Sequence, residues 1–154
     1  MRIVVLCVGR LRGGPFADDV AHYRRLLERH ARIELVEVKE GGGDAGHRRE
    51  VLRKEGEALL RRLPDPAFAC ALDREGTALS SEEIAAFLEE RRREGRDLCF
   101  VVGGAFGLDR AVLDRADARL SLGPATLPHE LARVVLLEQV FRAHKILARE
   151  PYHY

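Results

Sequence analysis

The chain has 154 residues, of which 46% are hydrophobic and 33% are charged, and its formal net charge is +1. This composition excludes a disordered chain, and the length suffices for a core that needs no disulfide or metal. No apolar run is long enough to cross a membrane, and the apolar start lacks the cleavage site of a signal peptide. We therefore expect a cytoplasmic protein that does not contact a membrane.

The first half of the chain alternates between predicted strands and helices. The β-branched run over residues 2–9 predicts a buried strand, and apolar residues at helical spacing predict a helix over 16–30. Alternation predicts a second strand over 32–40. A glycine-rich loop at 41–46 then leads to a strongly charged helix that ends at Pro64, because proline lacks the backbone N–H that a helix needs.

The second half repeats this alternation. Ser80 and Glu83 have the spacing of a capping box and predict the start of a helix. The other predicted elements are strands over 67–73, 97–104 and 118–123, an exit turn at 74–77, a loop at 124–130, and helices over 111–114 and 131–148. Several strands are apolar on both faces, which predicts a single α/β domain over residues 1–154 with a mostly parallel sheet flanked by helices.

The positions of the cysteines and histidines argue against a metal site. Cys7, Cys70 and Cys99 lie inside apolar runs without CxxC spacing, which predicts buried thiols in a reducing compartment. No histidine has zinc-site spacing to them, so we predict no metal. Three histidines among charged residues are expected at the surface: His22, His30 and His47.

Ligand binding is expected beyond the carboxyl ends of the strands, as in other open α/β sheets. The glycine-rich segment 101–108 lacks the spacing of a dinucleotide fingerprint, and it is either a tight turn or a ligand loop. The segment 121–130 contains two prolines, and it is either an ordinary connection or a pocket wall with exposed backbone groups. Such a wall suits a purine and a thioether-like tail better than a polyphosphate.

The last predicted helix is apolar on more than one side, so we expect one face against the sheet and another against a second subunit across a two-fold axis. Glu138, Arg142, Lys145 and Arg149 form a polar stripe along this helix. The stripe is either a solvated face with one ion pair, Glu138–Arg142, or a grip on RNA phosphates by its three basic residues.

Three segments of the C-terminal part resemble one family: VVGGAFGL at 101–108, the run LSLGPATLPHELARVVLLEQVFRAHKI at 120–146, and PYH at 151–153. With IVVLCVGRL at 3–11 and KEGEALL at 54–60, they are similar to the SPOUT-class ribosomal RNA large subunit methyltransferase H family over the whole chain. The resemblance implies a SPOUT fold with a C-terminal trefoil knot, and a homodimer. It also implies transfer of a methyl group from S-adenosylmethionine to N3 of a pseudouridine in 23S ribosomal RNA of the assembled ribosome.

Carried over by matching motif, the resemblance implies contacts with S-adenosylmethionine at the three strand ends beyond which a ligand is expected. The implied residues are Leu72, Gly103, Leu122, Gly123, Pro124, Ala125, Thr126 and Leu127. Methyl transfer also requires that the acceptor is aligned with the sulfonium and that water is excluded.

The N3 proton of the pseudouridine must leave, and histidine has the pKa that best suits a base at neutral pH. His153 is the first candidate, and His129 is the second, with a helix N-cap or loop anchor as its structural alternative. Pro151 is expected to end the last helix and to direct Tyr152 and His153 over a cofactor pocket, that of the same or the partner subunit, or else over a subunit boundary. Arg142 is expected to hold a phosphate or the developing negative charge.

Tyr154 departs from the family, in which the residue after PYH is usually basic, and the sequence predicts no role for it.

Two other functions stay open. One is a methyltransferase of the same fold that acts on another RNA such as tRNA, and the other is a non-catalytic ribosome-binding factor that keeps the fold. No serine nucleophile motif or paired-carboxylate motif is present.

Overall fold

The structure is a computed structural model that describes residues 1–11 and 13–152. Three residues lie outside the described part of the chain: Arg12, His153 and Tyr154. The prediction of His153 as a base therefore concerns a residue that the structure does not describe. In the described part, five strands alternate with five α-helices and one 3-10 helix. Their bounds are β1 (Arg2–Val8), α1 (Ala17–Leu27), β2 (Arg32–Val38), the 3-10 helix (Ala45–His47), α2 (Arg48–Arg62), β3 (Phe68–Ala78), α3 (Ser81–Arg93), β4 (Leu98–Val102), α4 (Arg110–Arg115), β5 (Ala118–Ser121) and α5 (His129–Leu147).

The five strands form one parallel sheet in the order β2-β1-β4-β3-β5, which confirms the predicted parallel α/β architecture. The helix α5 contacts both α1 and α3, and α2 contacts α4, so the sheet is flanked by two groups of helices. Parallel strands need long crossover connections, and these helices supply them. The threading of the predicted trefoil knot stays a prediction.

Alternate residues of β1 belong to two apolar clusters, as the two-residue period of a strand requires. Ile3 and Val5 pack in the cluster that includes α1, α3 and α5. Val4 and Leu6 pack in the cluster that includes Leu59 of α2 and a residue of α4. Because both faces of the sheet are covered, its central strands are apolar throughout.

The three cysteines are core residues, as predicted. Cys7, Cys70 and Cys99 are each at most 1% exposed and form no disulfide. Burial raises the pKa of each thiol to about 12, because the thiolate would lose its hydration.

The predicted capping box is also confirmed: the Ser80 hydroxyl accepts a hydrogen bond from the Glu83 N–H at 3.1 Å, and the Glu83 carboxylate accepts one from the Ser80 N–H at 2.7 Å.

The exit turn predicted at residues 74–77 is wrong, because β3 continues to Ala78. The strand bulges between Leu72 and Thr77, and both of these residues pair with Leu120 of β5. A Cβ on Gly76 would lie 2.7 Å from the carbonyl carbon of Arg119, so only glycine fits this close approach. The bulge leaves residues 73–75 beside the end of the sheet where a ligand is expected.

The helix α5 begins at His129, two residues earlier than predicted, so the preceding loop is shorter than the predicted range 124–130. Pro128 is its N-cap residue, and Glu130 adds a carboxylate to the first turn, where the helix dipole favours it. His129 is therefore not an N-cap. At 19 residues α5 is the longest helix, and within the described ranges no helix combines the length and apolarity that a membrane crossing needs.

Candidate active site

A cavity of about 420 Å³ lies at the carboxyl ends of β3, β4 and β5. All three predicted strand ends contribute to it. Seven of the eight residues predicted to bind the cofactor line this cavity: Leu72, Gly103, Leu122, Gly123, Ala125, Thr126 and Leu127. Pro124 is exposed and is not among the lining residues. The structure thus brings the predicted residues together, and their contact with a cofactor stays a prediction.

The glycine-rich segment after β4 is both a tight turn and a wall of the cavity. The Gly107 N–H donates to the Gly104 carbonyl oxygen at 3.1 Å and closes the turn. A Cβ on Gly103 would lie only 2.3 Å from the Gly107 carbonyl oxygen, so this packing requires glycine. The tight turn is therefore confirmed, and the ligand loop stays a prediction.

The loop after β5 supplies apolar side chains and backbone groups to the cavity. Leu122 and Leu127 are half-buried, whereas Ala125 and Thr126 are exposed. The Ser121 side chain stiffens the start of the loop through a hydrogen bond from the Gly123 N–H at 3.1 Å. This wall matches the predicted pocket with an apolar surface and accessible backbone.

Charged residues of both signs stand at the rim of the cavity. Asp73 pairs with Arg119 at 3.6 Å, and Arg74 pairs with Glu75 at 3.8 Å. The Arg74 guanidinium also donates to the Thr126 hydroxyl at 3.4 Å. At the β1 and β4 side of the cavity, the lining includes two residues that the sequence analysis missed: Arg48 and Phe106. An aromatic residue inside a glycine-rich turn was a signal that could have identified Phe106.

His129 lines the cavity at the N-terminal end of α5. Its Nε2 is buried without a hydrogen-bond partner in the described residues, and it lies 3.8 Å from the Glu40 carboxylate. The same nitrogen lies 3.3 Å from the position that a Cβ on Gly9 would take, so the ring packs against the end of β1. The residue lines the cavity, but this nitrogen itself is covered by the end of β1 and by Glu40.

Glu55 of α2 is a buried carboxylate next to this histidine, and the sequence analysis missed it. It is 4% exposed, and one of its oxygens accepts a hydrogen bond from the Gly41 N–H at 3.1 Å. The other oxygen has no partner in the described residues and lies 3.0 Å from where a Cβ on Gly104 would stand. Burial raises the pKa of Glu55, and the nearby Glu40 carboxylate acts in the same direction.

Arg133, one turn after His129, is a buried arginine that fixes the end of β1 against α5. It is 2% exposed and pairs with Glu37 at 3.0 Å. Its guanidinium also donates to the carbonyl oxygens of Val8 at 3.3 Å and Gly9 at 3.2 Å. The apolar periodicity of the last helix gave no signal for this residue, because its partners are more than 90 residues away in the chain.

The candidate catalytic residues Arg142 and Tyr152 form a second group with Glu138, and we call these three residues the arm cluster. Arg142 donates to the Glu138 carboxylate at 2.6 Å, which confirms the predicted ion pair and raises the pKa of Arg142. The Arg142 guanidinium also lies 4.9 Å from the centroid of the Tyr152 ring. The Tyr152 hydroxyl donates to Glu138 at 3.4 Å, and the ring packs on Phe141 at 5.0 Å.

The arm cluster does not reach the cavity of its own chain. Arg142 follows His129 by 13 residues on α5, and at 1.5 Å per residue this places it about 20 Å along the helix axis. Neither Arg142 nor Tyr152 lines the cavity. Tyr152 packs on its own helix in the described chain, and its predicted position over a cofactor pocket, that of the same or the partner subunit, stays a prediction.

The chain end reaches this position through a turn after α5. Arg149 has φ of 56°, the left-handed conformation that ends many helices. The Glu150 N–H donates to the Lys145 carbonyl oxygen at 3.0 Å, and the side chains of these two residues form an ion pair. Pro151 lies after this turn, so the prediction that it ends the last helix is wrong: α5 ends at Leu147, and Arg149 makes the turn.

The histidines near this end differ from their predicted setting. His22 and His47 are exposed as expected, but His30 is half-buried and stacks on His144 with ring centroids 5.5 Å apart. Burial lowers the pKa of His144 to about 4, and His30 and the N-terminal amine act in the same direction. Within the described residues, no group of three or more histidine, cysteine, aspartate or glutamate side chains is arranged to hold a metal ion.

Comparisons with known proteins agree with the sequence resemblance. A family described as predicted SPOUT methyltransferase matches residues 1–153. The ribosomal RNA large subunit methyltransferase H of Rubrobacter xylanophilus is 49% identical over 156 residues, covering 99% of this chain and 98% of that protein. The proteins of the same name from Acidiphilium cryptum and Carboxydothermus hydrogenoformans are 47% and 40% identical, with 99% of this chain covered in both and 93% and 99% of the relatives.

One solved structure shares the fold. A probable methylase family protein from Haemophilus influenzae superposes with a TM-score of 0.55 at 14% sequence identity, covering 99% of this chain and 70% of that one. At this identity the likeness concerns the fold alone.

Proposed function

This chain belongs to the SPOUT methyltransferase family, and we propose that it transfers a methyl group from S-adenosylmethionine to N3 of a pseudouridine in 23S ribosomal RNA of the assembled large subunit. The full-length relatives that carry the name ribosomal RNA large subunit methyltransferase H support the substrate class. The N3 position of a pseudouridine rests on the resemblance of the motifs. We also propose that the protein works in the cytoplasm, where ribosomes are.

One observation carries the proposal of the cofactor: the cavity at the three strand ends, lined by Leu72, Gly103 and the loop after β5. Its apolar side chains and accessible backbone fit the adenine and the methionine chain of S-adenosylmethionine. The carboxylates of Asp73 and Glu75 at the rim suit the positive charges of its sulfonium and ammonium groups. When bound, the cofactor supplies an electrophilic methyl group on a positively charged sulfur.

The residues of the chain then have to align the acceptor nitrogen and remove its proton. The new N–C bond forms as the S–C bond breaks, and the N3–H proton passes to a base or to water. We propose His129, with its unpaired Nε2 beside the cavity, and His153 as the candidate bases. Arg142 is proposed to hold the negative charge of the deprotonated base or an adjacent phosphate.

We propose that two chains form the active site together. The arm cluster lies about 20 Å along α5 from the cavity of its own chain, so a single chain cannot apply Arg142 and Tyr152 to a base bound there. A homodimer across a two-fold axis brings the end of one α5 to the cavity of the partner. The bases that the rRNA presents would then meet residues from both subunits.

Methyl transfer with a defined set of substrates tests this proposal. Calorimetry with S-adenosylmethionine is expected to show binding, and absence of binding would leave the non-catalytic ribosome-binding factor as the surviving function. Tritium transfer from labelled cofactor is then measured with intact ribosomes, free large subunits and tRNA. We expect label in intact ribosomes, and preferential labelling of tRNA would contradict the proposed substrate.

The nucleoside that carries the label distinguishes methylation of a pseudouridine from methylation of another nucleoside in 23S rRNA. Digestion of labelled 23S rRNA to nucleosides, followed by mass spectrometry, is expected to yield a methylated pseudouridine. A methylated adenosine, guanosine or cytidine would keep the rRNA substrate and remove N3 of pseudouridine as the acceptor.

A further inference from the structure

We infer that Phe106 and Arg48 form a stacking contact for a nucleobase of the RNA substrate at the rim of the cofactor cavity. This inference rests on the proposed function and names residues that neither the sequence motifs nor the comparisons assign. It concerns binding and orientation of the RNA rather than the transfer step itself.

Phe106 is placed where a packing role does not explain it. It lines the cavity and is half-buried. Within the described residues it belongs to neither of the two apolar clusters that form the core. A phenylalanine ring at the rim of a cavity stays partly exposed and loses apolar burial that it would gain in a core, so an aromatic ligand is the simplest partner for it.

The turn that carries Phe106 is held rigidly. Gly104 and Gly107 form a bridge across it, closed by the hydrogen bond at 3.1 Å, and Gly103 packs against the Gly107 backbone. The ring is therefore presented on a fixed backbone directly after β4. A rigid aromatic platform loses little conformational entropy when a base stacks on it.

Arg48, the first residue of α2, adds a cation to this platform. Its guanidinium carbon lies 5.8 Å from the centroid of the Phe106 ring, within range of a cation–π contact. The described residues include no ion pair to Arg48, whereas Arg53 on the same helix pairs with both Glu50 and Glu57. An arginine beside an aromatic ring is a common combination for stacking a base and contacting its phosphate.

The charge of Arg48 favours RNA over the adenine of the cofactor as the stacking partner. S-adenosylmethionine carries a positive sulfonium, which a neighbouring guanidinium repels, whereas RNA carries one negative charge at each phosphate. The carboxylates that suit the cofactor, Asp73 and Glu75, belong to β3, and they already pair with Arg119 and Arg74, respectively. Arg48 has no ion pair in the described residues, so its charge is available to a phosphate of the RNA.

The test separates aromatic stacking from simple apolar packing. Phe106→Leu keeps an apolar side chain and removes the ring, whereas Phe106→Trp keeps a ring. We expect Phe106→Leu to raise the KM for ribosomes about 10-fold, as expected for the loss of one stacked base, and Phe106→Trp to stay within about threefold of the wild type. The Kd for S-adenosylmethionine, from calorimetry, is expected to remain unchanged in both variants.

Each other outcome overturns the inference. Wild-type KM in Phe106→Leu would mean that no base stacks on the ring. A loss of cofactor affinity equal to the rise in KM would assign the ring to the adenine. If the wild-type protein bound no cofactor or labelled no rRNA, the proposed function would fail first, and this result is distinct from both.

Arg48→Ala and Arg49→Ala form a matched pair of variants that tests the contribution of the Arg48 guanidinium to RNA binding. Both arginines are exposed on the first turn of α2, but only Arg48 lines the cavity. We expect Arg48→Ala to raise the KM for ribosomes about threefold and to weaken its dependence on salt, with Arg49→Ala close to the wild type. Equal effects of the two substitutions would mean a diffuse positive surface and would contradict a specific contact.

Discussion

The two ends of α5 carry different kinds of chemistry. At its N-terminal end, the cavity is built from backbone, apolar side chains and a histidine with an unpaired nitrogen. At its C-terminal end, the arm cluster is built from a charged and aromatic set, Glu138, Arg142 and Tyr152, that is already hydrogen-bonded within the chain. The proposed function assigns the cofactor to the first end and stabilisation of the methyl acceptor to the second.

This difference indicates how a chain of 154 residues can handle both a cofactor and a ribosome. One long helix separates the cavity from the arm cluster, and we propose that these are two half-sites of an active site that a dimer completes. If the halves of two chains combine, each dimer has two complete sites from a single short sequence. The experiments below test this division of labour, from the largest expected effect to the smallest.

Complementation between two inactive variants has the largest expected effect. Ala125→Trp fills the cavity at an exposed lining position, and Arg142→Ala disables the arm cluster. We expect each homodimer to be nearly inactive, and a mixture refolded together to recover about a quarter of wild-type methylation, because half of the dimers are mixed and each has one intact site. No recovery in dimers purified through two different tags would place both half-sites in one chain.

Arg142→Ala alone is expected to separate catalysis from cofactor binding. Loss of one charged group that stabilises a developing negative charge lowers kcat by about 100-fold, while the Kd for S-adenosylmethionine stays unchanged because Arg142 does not line the cavity. Arg93→Ala, on the exposed end of α3, serves as the control. Parallel loss of cofactor affinity would mean that Arg142 supports the fold.

Gly103→Ala is expected to affect the opposite half-site. The new Cβ would lie 2.3 Å from the Gly107 carbonyl oxygen, so the turn after β4 must move. We expect about a 10-fold weaker Kd for S-adenosylmethionine and a loss of about 2 kcal/mol in the free energy of unfolding. Gly14→Ala, whose Cβ would be 3.7 Å from the Glu130 carboxylate, is the matched control. Wild-type cofactor affinity in Gly103→Ala would show that this wall is not part of the site.

His144 makes the arm end sensitive to acid. Its folded-state pKa of about 4 lies below the ordinary value of 6.5, so the neutral ring is favoured on folding. The resulting stability is complete above pH 6.5 and is lost as the pH falls toward 4, by about 2 kcal/mol. His144→Phe is expected to remove this part of the pH dependence in urea unfolding, and the exposed His22→Gln is expected to retain it. An unchanged profile in His144→Phe would exclude His144 as its source.

Glu55 makes the cavity end sensitive in the opposite direction. Burial raises the pKa of Glu55 above its ordinary value of 4.5, so ionisation costs stability as the pH rises through that folded-state pKa. Glu55→Gln is expected to increase the free energy of unfolding by about 1 kcal/mol at pH 8, with little gain at pH 4. Glu57→Gln, on the exposed face of the same helix, is the control. A destabilised Glu55→Gln at pH 8 would mean that the charge is compensated.

Local patterns predicted the strands and the cavity well, because each depends on neighbouring residues or on a general rule for parallel sheets. The apolar runs predicted the strand positions and the strand ends predicted where the cavity lies, and seven of the eight residues that the family resemblance implies line it. The prediction of a turn at 74–77 was wrong because Gly76 lies in a β-bulge. The bulge depends on the close approach of Gly76 to the backbone of Arg119 on another strand. The residues that surround Gly76 in the sequence give no sign of this contact with Arg119.

The buried polar residues of the site were beyond prediction for the same reason. Arg133 meets Val8 and Glu37, and Glu55 meets Gly41 and the turn after β4, across long stretches of chain. On a helix these residues look like solvent-exposed charges until the fold places partners beside them. The separation of the two half-sites along α5 also depends on the complete fold rather than on any motif.

The burial of all three cysteines has a practical consequence for measuring the distance between the two cavities of the proposed dimer. Thiols that are at most 1% exposed, with pKa values of about 12, react slowly with maleimides at neutral pH. A single cysteine introduced at the exposed Ala125 would therefore take a spin label selectively in the otherwise native sequence. Pulsed electron paramagnetic resonance could then report the spacing between two such labels, one in each cavity of the proposed dimer.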